Sequence, residues 1–212
     1  MSIAEKQQTI STNNATLSSN NTTIAENEQR VYEAGIEEGK KAEWDAFWDS
    51  YQDYGNRRNY NTLFYNSGWT AITFKPKYDM ICTYASSMFA ASHIVEINKK
   101  VDVTNSTSVA TMFANATYLK TITNLIVSEN NDLSGNVFLN CGALENLTIS
   151  GTIGKNVDVH WSTKLTHDSL MSIINHLKDG VSGLTVTLGA TNLAKLTDAE
   201  KAIATQKGCT LI

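Results

Sequence analysis

A chain of 212 residues with 42% hydrophobic content can bury one sizeable core or two small ones, which excludes disorder throughout. Its net charge of -4 comes without any run of Lys or Arg, so nothing in it is suited to gripping a phosphate backbone, and nucleic acid is not an expected partner. The opening MSIAEKQQTI lacks an apolar export core and no window reaches about eighteen apolar residues, so the expectation is a soluble protein made in the cytoplasm without a signal peptide or membrane insertion.

Residues 2 to 31 are rich in Ser, Thr and Asn, yet their strong aliphatics are Ile3, Ile10, Leu17, Ile24 and Val31, each seven after the last and none out of frame. Chance would place five residues in one such frame roughly once in 2,400 trials. Asn13, Asn20 and Asn27 occupy the d positions of that heptad, where a zipper has Leu. Helix propensity is poor here, so the segment is expected to be helical only where its a/d seam packs on copies of itself. Those five aliphatics are the predicted oligomerisation residues. Aliphatics at position a with Asn at d leave the strand number open. The pattern resembles the stalks of trimeric viral fibres and bacterial trimeric adhesins, which implies three strands, with the Asn amides as candidate ligands for an axial anion such as chloride.

The register runs on into a segment where Trp44, Phe47, Trp48 and Tyr51 share one helical face. Further aromatics, Tyr60, Phe64, Tyr65, Trp69, Phe74 and Tyr78, crowd the stretch that follows and suit a compact capping element. Trp69 and the four helix-face aromatics are the candidates for packing on the next domain as a lid or cap; docking to another assembly component is the sharper reading, and a sugar platform a lesser alternative.

Three segments then align: MFAASHIVEI (88 to 97), MFANATYLKTI (112 to 122) and VFLNCGALENLTI (137 to 149). Their anchors are Phe89, Phe113 and Phe138. Three residues later comes a small residue (Ser92, Ala116, Cys141), and six later an aliphatic (Val95, Leu119, Leu144). Ile94 and Ile97 look slipped by one against Leu119 and Ile122. Phe64 before and Val159 after extend the series more weakly. Each unit can bury its apolar positions only against its neighbours, so a stack is the expected core. The pattern Phe-x-x-small-x-x-Leu-x-x-Ile resembles the BspA-like leucine-rich repeats of bacterial surface and phage-encoded proteins, over roughly residues 60 to 165. The resemblance implies short parallel strands lining one face of a ladder. This chain departs in lacking the usual Pro and Ile-Gly between turns, having only Pro76.

After Thr163 the period changes. Thr166 caps a predicted helix carrying Leu170, Ile173, Ile174 and Leu177, with Asp179-Gly180 as its stop. Leu184, Val186 and Leu188 alternate as a strand. Thr197 and Glu200 form a capping-box pattern ahead of a second helix ended by Gly208, and CTLI closes as a strand.

Catalytic patterns do not emerge. Cys82, Cys141 and Cys209 are odd in number and far apart, which fits buried thiols rather than disulfides or zinc. His93, His160, His167 and His176 show no metal-ligand spacing. Asp158, His160, His167, Asp168 and Ser169 lack a nucleophile elbow. Gly151-Thr152-Ile153-Gly154-Lys155 is too short for a phosphate loop and reads as a turn between repeats. Glu37, Glu38, Asp45 and Asp49 fit a solvated helix face. No cofactor, metal or enzymatic activity is expected.

The stretches TIAENEQRVYEAG, GWTAITFKPKYD and LTDAEKAIATQKGCTLI resemble prophage and phage tail-associated proteins. The expected architecture is an α/β repeat protein: a trimeric coiled-coil stem with an amphipathic helix (1–52), an aromatic cap (53–87), a short BspA-like leucine-rich-repeat solenoid (88–165) and a helix-strand cap (166–212). That resemblance implies a non-enzymatic virion tail-fibre or receptor-binding component. Its implied partners are itself as a homotrimer, other phage tail proteins and a host-surface glycan or protein. A bacterial cell-surface adhesin with the same repeats is the second reading, and an accessory to a cell-wall-active enzyme the third.

Overall fold

The computed structural model describes residues 2, 3, 5–21, 23, 42, 43, 60–68 and 79–212. The chain divides into two compact units, Met1–Glu43 and Trp44–Ile212. In the first, helix α1 includes residues 3 and 5–21. A capping box that sequence reading missed opens it: the Ser2 hydroxyl accepts the Glu5 amide at 3.2 Å while the Glu5 carboxylate takes the Ser2 amide at 2.5 Å. Thr9, Thr12 and Thr16 turn their hydroxyls back onto the carbonyls four residues earlier.

The second unit is mixed α/β with parallel strand pairing. Strands β1 (Met80–Ile81), β2 (Glu96–Ile97), β3 (Val101–Asp102), β4 (Thr121–Val127) and β5 (Asn146–Gly151) form one sheet, and β6 (Val157–Asp158), β7 (Leu184–Thr187) and β8 (Cys209–Leu211) a second. The helices are α2 (His167–Asn175), α3 (Gly189–Leu193) and α4 (Asp198–Gln206).

Opposite the strands, Phe64, Phe89, Phe113 and Phe138 form a column of fully buried rings, stacked at centroid separations of 5.2, 5.6 and 5.3 Å. Each burial is worth about 2–3 kcal/mol, and each offset stack adds roughly a further 1 kcal/mol. Backbone bonds hold the column in register. The amides of Phe64, Phe89 and Phe113 donate to the carbonyls of Met88, Met112 and Val137, each just ahead of the next Phe. Within every tier the residue three after the anchor donates back to it, as with Ser67, Ser92, Ala116, Cys141 and, in the fifth tier, Ser162 onto Val159. To turn this tightly the backbone enters the left-handed region two residues after each ring, at Asn66, Ala91, Asn115 and Asn140 (φ from 49° to 60°), where Asn is among the side chains most tolerant.

The slip in the first copy has a structural resolution. Ile94 rather than Val95 takes the buried place matching Leu119, and Ile97 pairs with Ile122, so this turn is one residue short. The corner that follows is one residue longer (98–100 against 123–124), which restores register where Val101 meets Leu125.

Helix α2 begins at Thr166, whose hydroxyl accepts the Ser169 amide, and ends at Asn175 with His176 as C-cap. Asp179-Gly180 is therefore not its stop. Leu177 leaves the helix to pair with Ile153, placing its side chain in the core as strand rather than helix. This pairing also corrects the reading of residues 151–155 as a simple turn. Gly151 ends β5 at φ +88°, where an added Cβ would sit 2.0 Å from the Val127 carbonyl oxygen, and at Gly154 it would sit 2.6 Å from Glu129. These glycines serve close packing between tiers.

The cap satisfies what the fourth and fifth tiers leave open. Ser169 and Ser172 of α2 accept the amides of Leu147 and Ile149 at 2.9 Å, standing where another strand would be. Buried Asn192 donates to the carbonyls of Ser162 and Leu188, and Lys195 donates to those of Thr163 and Leu165. Burial holds the Lys195 ammonium below the ordinary lysine range. Thr197 and Glu200 form both halves of the capping box on α4.

Two stability predictions follow from this packing. Ser92 and Ser162 are buried in the small-residue column with no hydrogen-bond partner for their hydroxyls among the described residues, while Ala116 fills the same place without one. Ser92→Ala and Ser162→Ala should each stabilise by about 1 kcal/mol, read as a higher urea midpoint at unchanged m-value. Gly151→Ala should cost roughly 3 kcal/mol or more in the same assay, since both its φ and its contact with Val127 forbid a Cβ.

Candidate functional site

Three surfaces carry the candidate residues. On α1, Ile3, Ile10 and Leu17 are 78%, 59% and 58% exposed, a row of aliphatics one heptad apart facing solvent. Asn13 and Asn20 on the same helix are exposed as well. Ile24, Asn27, Val31, Trp44, Phe47, Trp48, Tyr51 and Trp69 lie outside the described residues, as do Glu37, Glu38, Asp45, Asp49, Phe74, Pro76 and Tyr78.

A second surface is the outer face of the turns that follow the Phe column. Asn115 and Asn140 occupy equivalent places on adjacent tiers, and the Asn140 amide donates to the Asn115 side-chain oxygen at 2.7 Å. On the next tier Trp161 stands two residues after Val159, without the left-handed backbone of the two Asn, and is 45% exposed. Tyr118 is 54% exposed, with His93 against it in a T-shaped contact at 5.0 Å. The aromatic stretch ahead of the repeats drew attention in the sequence, while Tyr118 and Trp161 did not. The usable signal was the recurrence of Asn two residues after Phe64, Phe113 and Phe138, which marks the outward turn.

Third, a cleft of about 350 Å³ opens between residues 106–111 and 130–137, lined by hydroxyl, amide and charged groups that include Ser106, Thr111, Asn131, Asp132 and Lys155. Asp132 and Lys155 also border a shallower hollow reaching Asn156 and Ser182. Asn131 is committed internally, since its side-chain oxygen accepts the Ser128 amide at 2.8 Å. The remaining groups suit polar contacts, and the cleft pairs no Cys or Ser nucleophile with a base.

The histidines are separated, each with its own contact. His160 meets Asp158 at 2.5 Å and its ring lies tilted against Trp161, and the ring of His176 contacts the Ser172 carbonyl at 2.7 Å. Among the described residues no group of three His, Cys, Asp or Glu side chains is placed to hold a metal ion, and no helix is long and apolar enough to cross a membrane. Asp168 and Ser169 sit in the first turn of α2, where Ser169 serves β5 rather than a triad. All three cysteines are free and buried, and burial pushes the Cys82 and Cys141 thiols up to about 12, which makes them poor nucleophiles.

His167 bonds Glu200 across α2 and α4 at 2.8 Å. The hydrogen bond and charge of Glu200 raise the His167 pKa, while Thr197 and His167 lower that of Glu200. The raised histidine contributes stability that is complete below about pH 6.5 and is lost as pH rises through its folded value; the carboxylate's share is lost as pH falls through its own lowered value. Glu200→Gln keeps the reach needed for the capping box but removes the charge, so the NMR titration midpoint of His167 should drop toward about 6.5 in that variant.

No family model, curated protein or solved structure matches this chain.

Proposed function

We propose that this chain is a non-enzymatic structural and binding protein of a phage virion, a tail-fibre or receptor-binding component. Its first unit is the strand of a homotrimeric coiled-coil stem joined to other tail proteins. Its second is a short BspA-like leucine-rich-repeat solenoid, the head that meets the host surface. The exposed row Ile3, Ile10 and Leu17 on α1 carries the reading. A helix this rich in Ser, Thr and Asn is marginal alone, and burying each aliphatic would return about 1.5–3 kcal/mol, so self-association supplies what local propensity lacks.

Around a three-fold axis Asn13, Asn20 and Asn27 would converge in layers that fix register and strand number at some cost in stability. Three heads on one stem gain avidity without any one binding tightly, which suits attachment to a repetitive surface. The resemblance of three stretches of the chain to phage tail-associated proteins supports the setting.

Sedimentation equilibrium should give a mass close to three times the 23.3 kDa of one chain. Replacing Ile10 and Leu17 together with Asp should return single chains whose sheet circular dichroism and thermal transition for the second unit are unchanged. A single-chain mass for the unmodified protein would remove the stem from the reading.

A further inference from the structure

We propose that the outer turn face spanning Asn115, Tyr118, Asn140 and Trp161 is a binding site for a neutral oligosaccharide. The inference rests on the reading of the second unit as a surface-binding head and names its ligand class and contact face.

Successive tiers set this face out as a strip. Asn115 and Asn140 hold the same place on consecutive tiers, both with left-handed backbone and joined side chain to side chain, and Trp161 stands two residues after Val159 on the tier that follows. Tyr118 projects three residues beyond Asn115. The corresponding stretch of the middle tier is Gly142-Ala143, and an added Cβ at Gly142 would meet only the Trp161 carbonyl oxygen, at 3.9 Å. The tier between exposed Tyr118 and exposed Trp161 thus carries only Gly142 and Ala143 there. Two steps of parallel backbone set their tiers roughly 10 Å apart, on the scale of a pyranose ring.

The polar groups suit vicinal hydroxyls. The bond from the Asn140 amide to the Asn115 oxygen uses one donor and one acceptor, and among the described residues the Asn115 amide and the Asn140 oxygen have no other partner. The pair therefore presents a donor beside an acceptor, with its orientation fixed by the mutual bond. Exposed Tyr and Trp rings supply rigid apolar faces for the C–H faces of a sugar, and their hydroxyl and indole N–H stay available at the edge. His93, edge-on to Tyr118, holds that ring in place.

Charge selects the class. From two to five residues past the anchors, the four later tiers carry Ala91-Ser92-His93-Ile94, Asn115 to Tyr118, Asn140 to Ala143 and Trp161 to Lys164, with Lys164 the single Lys, Arg, Asp or Glu. A strip this neutral offers little to a polyanion or an acidic peptide. The left-handed backbone accounts for Asn at 115 and 140 only in part, because Ala91 adopts φ 54° at the equivalent place. It does not account for two exposed aromatics flanking them.

The test is an NMR titration of the full chain with maltotetraose, cellotetraose, chitotetraose and mannotetraose. At least one should move the Trp161 indole and the Asn115 and Asn140 side-chain resonances. Tyr118→Ala and Trp161→Ala should each weaken that binding by about threefold to tenfold. Asn140→Gly should weaken it too, while the spectrum shows the fold retained, since Gly keeps the left-handed backbone. The proposal is overturned if none of the four sugars moves these resonances at millimolar concentration, or if the shifts persist at unchanged affinity in both aromatic variants. Sugar binding by a protein that sediments as a single chain would remove the trimeric stem and keep this site; a trimer that ignores every sugar would remove the site and keep the stem.

Discussion

The second unit depends on one repeated contact: a buried Phe ring lying on the ring of the next tier, with its own amide bonded to the carbonyl just ahead of that neighbour. The ring supplies apolar burial and the amide supplies register, and neither is available to a tier alone. Sheet pairing, the small-residue column and the left-handed turns follow from keeping successive rings near 5 Å apart. The turn surface inherits that spacing, so side chains at equivalent places form columns outside as well as inside. The Asn115–Asn140 bond is the outer counterpart of the Phe stack.

Much of this was legible in the residues. Phe89, Phe113 and Phe138 announced the period, Ser92, Ala116 and Cys141 announced the tight inner corner, and Thr197 with Glu200 announced a helix start. Local rules and burial pattern agreed at those places. What escaped reading was compensation between distant parts of a tier. A residue missing before Ile94 and one added before Val101 cancel, so the alignment looked imperfect although the packed positions are conserved in space. The end of α2 escaped for a related reason: Leu177 fits a helical period, but Ile153 claims it as a strand partner. The outward face was the least legible, because the repeat spacing marks buried anchors and says nothing of which aromatics between them, here Tyr118 and Trp161, stay exposed.

The two units obey different economies. In the second, the described core side chains find neighbours within their own chain, and polar groups such as buried Asn192 and half-buried Lys195 end on carbonyls of the last tier. Helix α1 instead carries its capping box and threonine back-bonds on a face-to-solvent row of aliphatics. That contrast, rather than any catalytic constellation, is what gives the molecule its proposed division between assembly and contact.

The direction of the turn hydrogen bonds bears on biosynthesis. At the Phe turn, amides of one tier are met by carbonyls of the tier that the ribosome makes afterwards, as Phe89 is by Met112 and Phe113 by Val137, whereas at the strand entry the later amides of His93, Lys120 and Glu145 return to the carbonyls of Ser67, Val95 and Lys120. A nascent chain thus extends its stack with the newest donors waiting on some two dozen residues still to emerge, and the amides of Leu147 and Ile149 wait until Ser169 and Ser172 arrive. A tier is therefore satisfied only when its neighbours on both sides have been made, and the α2 serines close the edge of the first sheet.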